Sequence, residues 1–268
     1  MRRWLTLGKS SIILTILILL CSIAASGQTE LYSSSWDKGV LVVLYGDQYG
    51  TGWFVNRNYV VTAGHVVNYQ TNSKVTLIKG DYSGVGYVVY TDSLTDIAII
   101  HVEKPPASIY IFKLAAKDPE KGQQIFVIGY PFELYKILGD LAKMSMSPRV
   151  SMGIAAWIDE ERKIFEISAT VDSGNSGGPI TDAYGNVVGL VSFALEGKAA
   201  VMYYGTCVSA IKEALSKAGV SYQIGLSSII TRQGETSIGN QLIVAVAGGV
   251  ASAIASTVII ISVRRRGG

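Results

Sequence analysis

The chain has 268 residues, 49% of them hydrophobic and 16% charged, with a formal net charge of +3 and a mean hydropathy of +0.34. That length holds a sizeable core, in one large domain or two small ones, and the positive mean hydropathy is unusual for a purely soluble protein. The excess positive charge sits largely at the two ends, and no basic nucleic-acid stripe, metal-ligand cluster or phosphate-binding loop appears, so neither nucleic acid nor a metal or other cofactor is expected.

The N-terminus reads MRRWLTLGKS, then SIILTILILLCSIAA, then SGQTE. A basic start, an uncharged apolar run and a small-residue exit form a secretory signal pattern over residues 1–27, with an uncleaved anchor as the alternative. From Leu31 to Tyr222 short apolar runs alternate with Gly, Asn, Asp and Pro. The first set is GVLVVLYG (39–46), TGWFVN (51–56), YVVTAG (59–64), VTLIKG (75–80), VGYVVYT (85–91) and DIAIIHVE (96–103). After a polar, proline-containing break around Lys113 to Gly122 come QQIFVIGYP (123–131), VSMGIAAWID (150–159), KIFEISA (163–169), NVVGLVSF (186–193) and VMYYGTCV (201–208). Runs this short, β-branched and bounded by turn residues are strands, and hardly a helix separates them, which indicates an all-β barrel or sandwich architecture.

One helix is expected over SAIKEALSKAG (209–219), with Ser209 as N-cap and Gly219 as its stop. Residues 223–240 read as a tether. Residues 241–263 are expected to form a transmembrane α-helix, because the uncharged run from Leu242 to Val263 covers roughly 33 Å at helical rise. Arg264, Arg265 and Arg266 follow in the 264–268 tail, which the positive-inside rule assigns to the cytoplasm. Everything before the span then lies on the extracytoplasmic side of a cell membrane. Small residues recur every four positions within it, at Ala245, Gly249 and Ala253, a pattern that permits close helix packing and leaves a homo-oligomer open. Apart from Cys21 in the first apolar segment, Cys207 is the only cysteine, so no intrachain disulfide is expected to staple the domain.

SGNSGGPI, residues 173–180, packs three glycines and a proline around Ser176, so the backbone there is neither ordinary helix nor strand. A serine hydroxyl becomes a nucleophile only when a base takes its proton and a third group orients the base. The chain has two histidines. His65 falls where an apolar strand ends in VVTAGHVV, whereas His101 lies inside a strand; His65 is the better base. Among the aspartates of TDSLTDIAII, Asp96 abuts the strand and Asp92 belongs to the preceding turn. GNSGG also fits the G-x-S-x-G elbow of α/β hydrolases, but that architecture needs a histidine after the serine, and both histidines precede Ser176.

The order His65, Asp96, Ser176 is that of chymotrypsin-like enzymes. GTGWFVNRNYVVTAGHVV, TDIAIIHVE and ATVDSGNSGGPITDAYGNVVGLVSF resemble the three signature segments of trypsin-like serine proteases, and most resemble the Deg/HtrA branch. The resemblance covers about residues 36–220. It implies two six-stranded antiparallel β-barrels, residues 31–116 and 117–222, the second including the C-terminal helix. It assigns Ser176 as nucleophile, His65 as general base, Asp96 as its orienting carboxylate, and the amides of Gly174 and Ser176 as the oxyanion hole. It further places Ser192, Phe193 and Ala194 along the substrate strand and Thr170 near the floor of the primary pocket, with Tyr203 narrowing it. None of these is charged, which implies a small or medium apolar side chain before the cut in a polypeptide substrate. The PDZ domain common in that branch is replaced here by the tether and the apolar span, and Asn175 cannot form the salt bridge by which trypsin itself is activated. Two readings follow: a membrane-anchored endopeptidase in quality control or processing, or a silent peptide-binding pseudoprotease.

Overall fold

The computed structural model describes residues 32–197 and 201–225; the signal segment expected at 1–27 and the membrane span expected at 241–263 lie outside the described residues. Among the described residues no helix is long and apolar enough to cross a membrane. Strands β1 (Val40–Tyr45), β2 (Gln48–Asn56) and β3 (Tyr59–Ala63) form an antiparallel meander. Strands β4 (Lys74–Lys79), β5 (Tyr82–Asp92) and β6 (Ile97–Val102) then complete a closed barrel in the order β1-β2-β3-β6-β5-β4. β5 alternates in exposure, as a half-solvated strand does, while Ile97 to Ile100 of β6 are all buried because the rest of the chain covers their outer face.

The connection between barrels follows the first barrel's surface. Phe112 is fully buried, its amide donates to the Phe54 carbonyl at 3.0 Å, and its ring meets Trp53 edge-on at 5.9 Å. β7 (Leu114–Ala115) then pairs with the second barrel. That barrel is built from β8 (Gln124–Gly129), β9 (Arg149–Asp159), β10 (Ile164–Ile167), β11 (Pro179–Thr181), β12 (Val187–Glu196) and β13 (Val201–Cys207). The order β11-β8-β9-β10-β13-β12 closes through the β11–β12 pair, and β14 (Ile224–Gly225) lies beside β7 outside the ring. Two six-stranded barrels therefore form the chymotrypsin-like all-β fold that the resemblance implies.

Three helical features differ from the sequence expectation. α1 (Phe132–Leu138) and α2 (Leu141–Ser145) fill the β8–β9 connection, where no helix is expected. Gly139 ends α1 in a left-handed conformation (φ 65°), and the Asp140 carboxylate caps α2 by accepting from the Ala142 and Lys143 amides. α3 (Val208–Lys217) starts one residue before the expected cap, and Ser209 is not that cap. The Ser209 amide instead donates to Asp118, a carboxylate from the inter-barrel connection, at 2.8 Å. Distant capping is invisible to a local rule. Gly219 (φ 67°) is the stop, with the Val220 amide returning to the Leu215 carbonyl.

The core of the second barrel is fitted around Phe165, whose ring is fully buried. A Cβ at Gly189 or Gly205 would come within 2.5 Å or 2.9 Å of it, so two glycines make room for one large side chain. Phe165→Ala is expected to lower the unfolding free energy by about 3–5 kcal/mol, read by urea denaturation, because it empties a fully buried site.

Candidate active site

The β3–β6 ladder builds the first half of the site. Ala63 pairs with Ile97, and the ladder runs one step further, the Gly64 amide donating to the Asp96 carbonyl at 3.0 Å. The residue after Gly64 is thereby brought against the Asp96 side chain, although 31 positions separate His65 from Asp96. The His65 amide donates to Asp96 Oδ1 at 2.9 Å, and Nδ1 lies 2.9 Å from Oδ2 and 3.1 Å from Oδ1. An ionised carboxylate only accepts, so Nδ1 carries the proton and the Nε2 lone pair is left facing away, available as a base.

Asp96 is buried, and its backbone is left-handed (φ 53°), a conformation that aspartate tolerates better than most residues. Besides His65 it accepts from the Tyr69 hydroxyl at 3.0 Å and from the Ser192 hydroxyl at 2.5 Å. Burial pushes its carboxyl up, but hydrogen bonding and charge at His65, then the Ser192 hydroxyl and the His65 amide, outweigh it and hold the group below its ordinary 3.8. The carboxylate stays ionised through the neutral range.

The second half is the 173–178 loop. Gly174 (φ 93°) and Gly177 (φ 83°) are left-handed, and Gly174, Asn175, Gly177 and Gly178 are buried. A Cβ at Gly177 would run into the Thr51 carbonyl and the Thr62 hydroxyl of the first barrel, so this loop can approach β2 and β3 only without side chains. Thr51 grips it at two points: its amide donates to the Ser176 carbonyl at 2.9 Å and its hydroxyl donates to the Gly174 carbonyl at 2.7 Å. The same hydroxyl accepts from the Tyr130 amide at 3.1 Å. The amides of Asn175, Gly177 and Gly178 all find carbonyls; those of Gly174 and Ser176 donate to nothing among the described residues. Two N–H groups left open beside a serine are of the kind that could receive an oxyanion.

The trypsin-like peptidase domain family matches residues 50–190, a span that contains His65, Asp96 and Ser176. The chain belongs to this family. It is 30% identical over 185 residues to the serine protease Rv3671c of Mycobacterium tuberculosis, covering 68% of this chain and 45% of that protein. An HtrA-like serine protease of Staphylococcus epidermidis is 30% identical over 149 residues, covering 52% of this chain and 24% of the relative. The chain thus spans less than half the length of these relatives. The solved structure of the Rv3671c protease in its inactive form shares the fold, with a TM-score of 0.56 and 23% identity over 73% of this chain and 96% of that one.

In this trypsin-like domain His65, Asp96 and Ser176 line one cleft of about 570 Å³, together with Tyr69, Leu94 and Phe193. Ser176 and His65 make no hydrogen bond with each other. Ser192 and Ala194 also line the cleft, and the Ser192 hydroxyl donates to Asp96. Phe193 stacks on Tyr204 at 5.1 Å where β12 shifts register against β13. Thr170 is exposed and outside the lining of this cleft, its carbonyl accepting from Ser151 at 2.6 Å and from Arg149 at 3.2 Å. Tyr203 is half-buried on β13 opposite Ala194, also off the lining. Asn175 is buried with its Oδ1 unpartnered among the described residues, so the position where trypsin has an aspartate holds no ion pair. Thr51 and Tyr69 are the neighbours that sequence reasoning misses. A hydroxyl inside an apolar strand (GTGWFV) and a tyrosine four residues after the histidine are the signals present.

Thr51→Val keeps the shape of the side chain but strands the Gly174 carbonyl and the Tyr130 amide. A loss of about 1–3 kcal/mol in unfolding free energy is expected, with Thr51→Ser restoring most of it. The depressed Asp96 carboxyl stabilises the fold above 3.8, and this contribution disappears as pH falls through its lower folded value. Urea midpoints measured between neutral pH and the acid range on the Ser176→Ala protein should therefore fall more steeply than those of the Ser176→Ala/Asp96→Asn double variant.

Proposed function

We propose that this chain is a serine endopeptidase that cuts proteins outside the cytoplasm through an acyl-enzyme. The observation that carries the reading is the conjunction at one cleft of an Asp96-oriented His65, Ser176, and the open amides of Gly174 and Ser176. Ser176 Oγ attacks the scissile carbonyl while His65 Nε2 takes its proton, and the new oxyanion is held by the two amides. The tetrahedral adduct collapses, the C–N bond breaks, and His65 returns its proton to the leaving amine. Water, deprotonated by His65 in turn, cleaves the ester and frees Ser176. Asp96 stays ionised throughout and stabilises the imidazolium of each half-reaction.

The uncharged Ser192, Phe193 and Ala194 of the cleft lining support an apolar or small residue before the cut. The apolar runs at 1–27 and 241–263, with Arg264 to Arg266 beyond, support a protein attached to a membrane by its C-terminal segment and acting on its extracytoplasmic side. Quality control or processing of neighbouring proteins is the role such an anchored peptidase would fill. One observation favours a second reading, a peptide-binding module without activity: Ser176 is not hydrogen-bonded to His65. The loose contact is equally usual in a resting hydrolase that tightens on substrate.

Ser176→Ala should lower peptide hydrolysis at least ~10⁴-fold and abolish labelling by a serine-reactive phosphonate, while leaving the fold intact. Equal activity of the two proteins on unfolded substrate, or a wild type that the phosphonate never labels, would establish the binding module instead. Profiling with a peptide library should show apolar side chains before the cut; dominance of Lys or Arg there would overturn the specificity reading.

A further inference from the structure

Asp96 receives one more hydrogen bond than the triad and Ser192 require, and its donor is placed at a cost. Tyr69 follows Asn68, and both have left-handed backbones (φ 54° and 49°). Asparagine enters that region readily; a bulky aromatic residue is an outlier there, with a penalty of roughly 1–3 kcal/mol. The surrounding turn holds it, the Tyr69 amide donating to the Gly64 carbonyl at 2.9 Å and its carbonyl accepting from Thr91 at 3.1 Å. The ring lies over Gly64, where a Cβ would collide with it, so the glycine just before His65 clears the path of the phenol. The result is a hydroxyl 3.0 Å from Asp96 Oδ1, while Ser192 binds Oδ2 from the opposite barrel.

We infer that Tyr69 is a positioning residue of the hydrolytic site, its phenol fixing the plane of the Asp96 carboxylate and withdrawing charge from Oδ1, the oxygen that accepts from the His65 amide and lies 3.1 Å from Nδ1. The inference rests on the peptidase reading above. Two separate observations carry it: a strained backbone whose effect is to aim this side chain, and a charge-assisted hydrogen bond at its end. Burial first, then the Asp96 charge and hydrogen bond, push the phenol up to about 12, so it stays a neutral donor through the working range. The titratable groups that face it in the cleft are Asp96 and His65. The β5–β6 turn adds only Ser93, Leu94 and Thr95, and the second barrel adds Ile164, Ser192 and Phe193, none of which titrates near neutrality.

Removing the phenol leaves Asp96 a stronger acceptor, which favours the protonated imidazole. In full-length protein Tyr69→Phe should lower kcat about tenfold with KM unchanged, and move the acid limb of the kcat/KM profile to higher pH. The chain has two histidines, so ¹⁵N-histidine labelling isolates His65 once His101→Gln has assigned the other signal. In a Ser176→Ala background, Tyr69→Phe should move the His65 ring transition upward, by as much as about one pH unit. That measurement needs no turnover. If the wild type proves unable to cut peptides, the peptidase reading fails and the ring transition still decides the role of Tyr69. An unmoved transition overturns the inference, whether or not kcat falls, since lost packing alone lowers kcat without changing the imidazole.

Discussion

A carboxylate removed from water costs several kcal/mol unless donors surround it, and in this protein the donors come from both barrels. His65 and Tyr69 belong to the segment after β3, and Ser192 belongs to β12. Asp96 can therefore stay ionised and buried only while the two barrels sit together. The charge that readies His65 is also a tie across the domain boundary. Thr206 repeats the connection nearby, donating to the Thr95 carbonyl at 2.8 Å.

The 173–178 loop answers a different constraint. It leaves the amides of Gly174 and Ser176 without partners among the described residues, which a folded chain otherwise avoids. It does so by anchoring everything else: Ser173 accepts from Phe132, Gly174 and Ser176 accept from Thr51, and Gly177 donates to Val191. The glycines permit the close approach, and β2 supplies the fixed surface. Hydrogen bonds within the loop and to its neighbours hold its shape, and among the described residues none of them uses the amides of Gly174 or Ser176.

The strands, and His65, Asp96 and Ser176 as candidates, are legible from short-range patterns, whereas the two closed barrels and the roles of the three residues come only with the resemblance to trypsin-like proteases. Alternating apolar runs mark strands, a histidine just past a strand can project from a rim, and a glycine-crowded serine marks an unusual backbone. What stayed hidden depends on distance or on rare conformations. The cap of the last helix is Asp118, 91 positions from the amide it binds. Thr51 reads as one polar residue in an apolar strand, and its partners Tyr130, Gly174 and Ser176 lie 79 or more positions downstream. Tyr69 reaches Asp96 only through two successive left-handed residues, which no periodicity announces. The two helices of the β8–β9 connection are an exception, since Gly139-Asp140 is a stop followed by a cap and was readable. Ser192 was placed on the right strand, yet its hydroxyl turns inward to Asp96, a direction that a strand pattern alone does not give.

Because Asp96 draws its donors from both barrels, a change on β12 is felt at an imidazole of the other barrel that it never touches. Ser192 and His65 are linked through that one carboxylate, so neither position can be varied independently of the other.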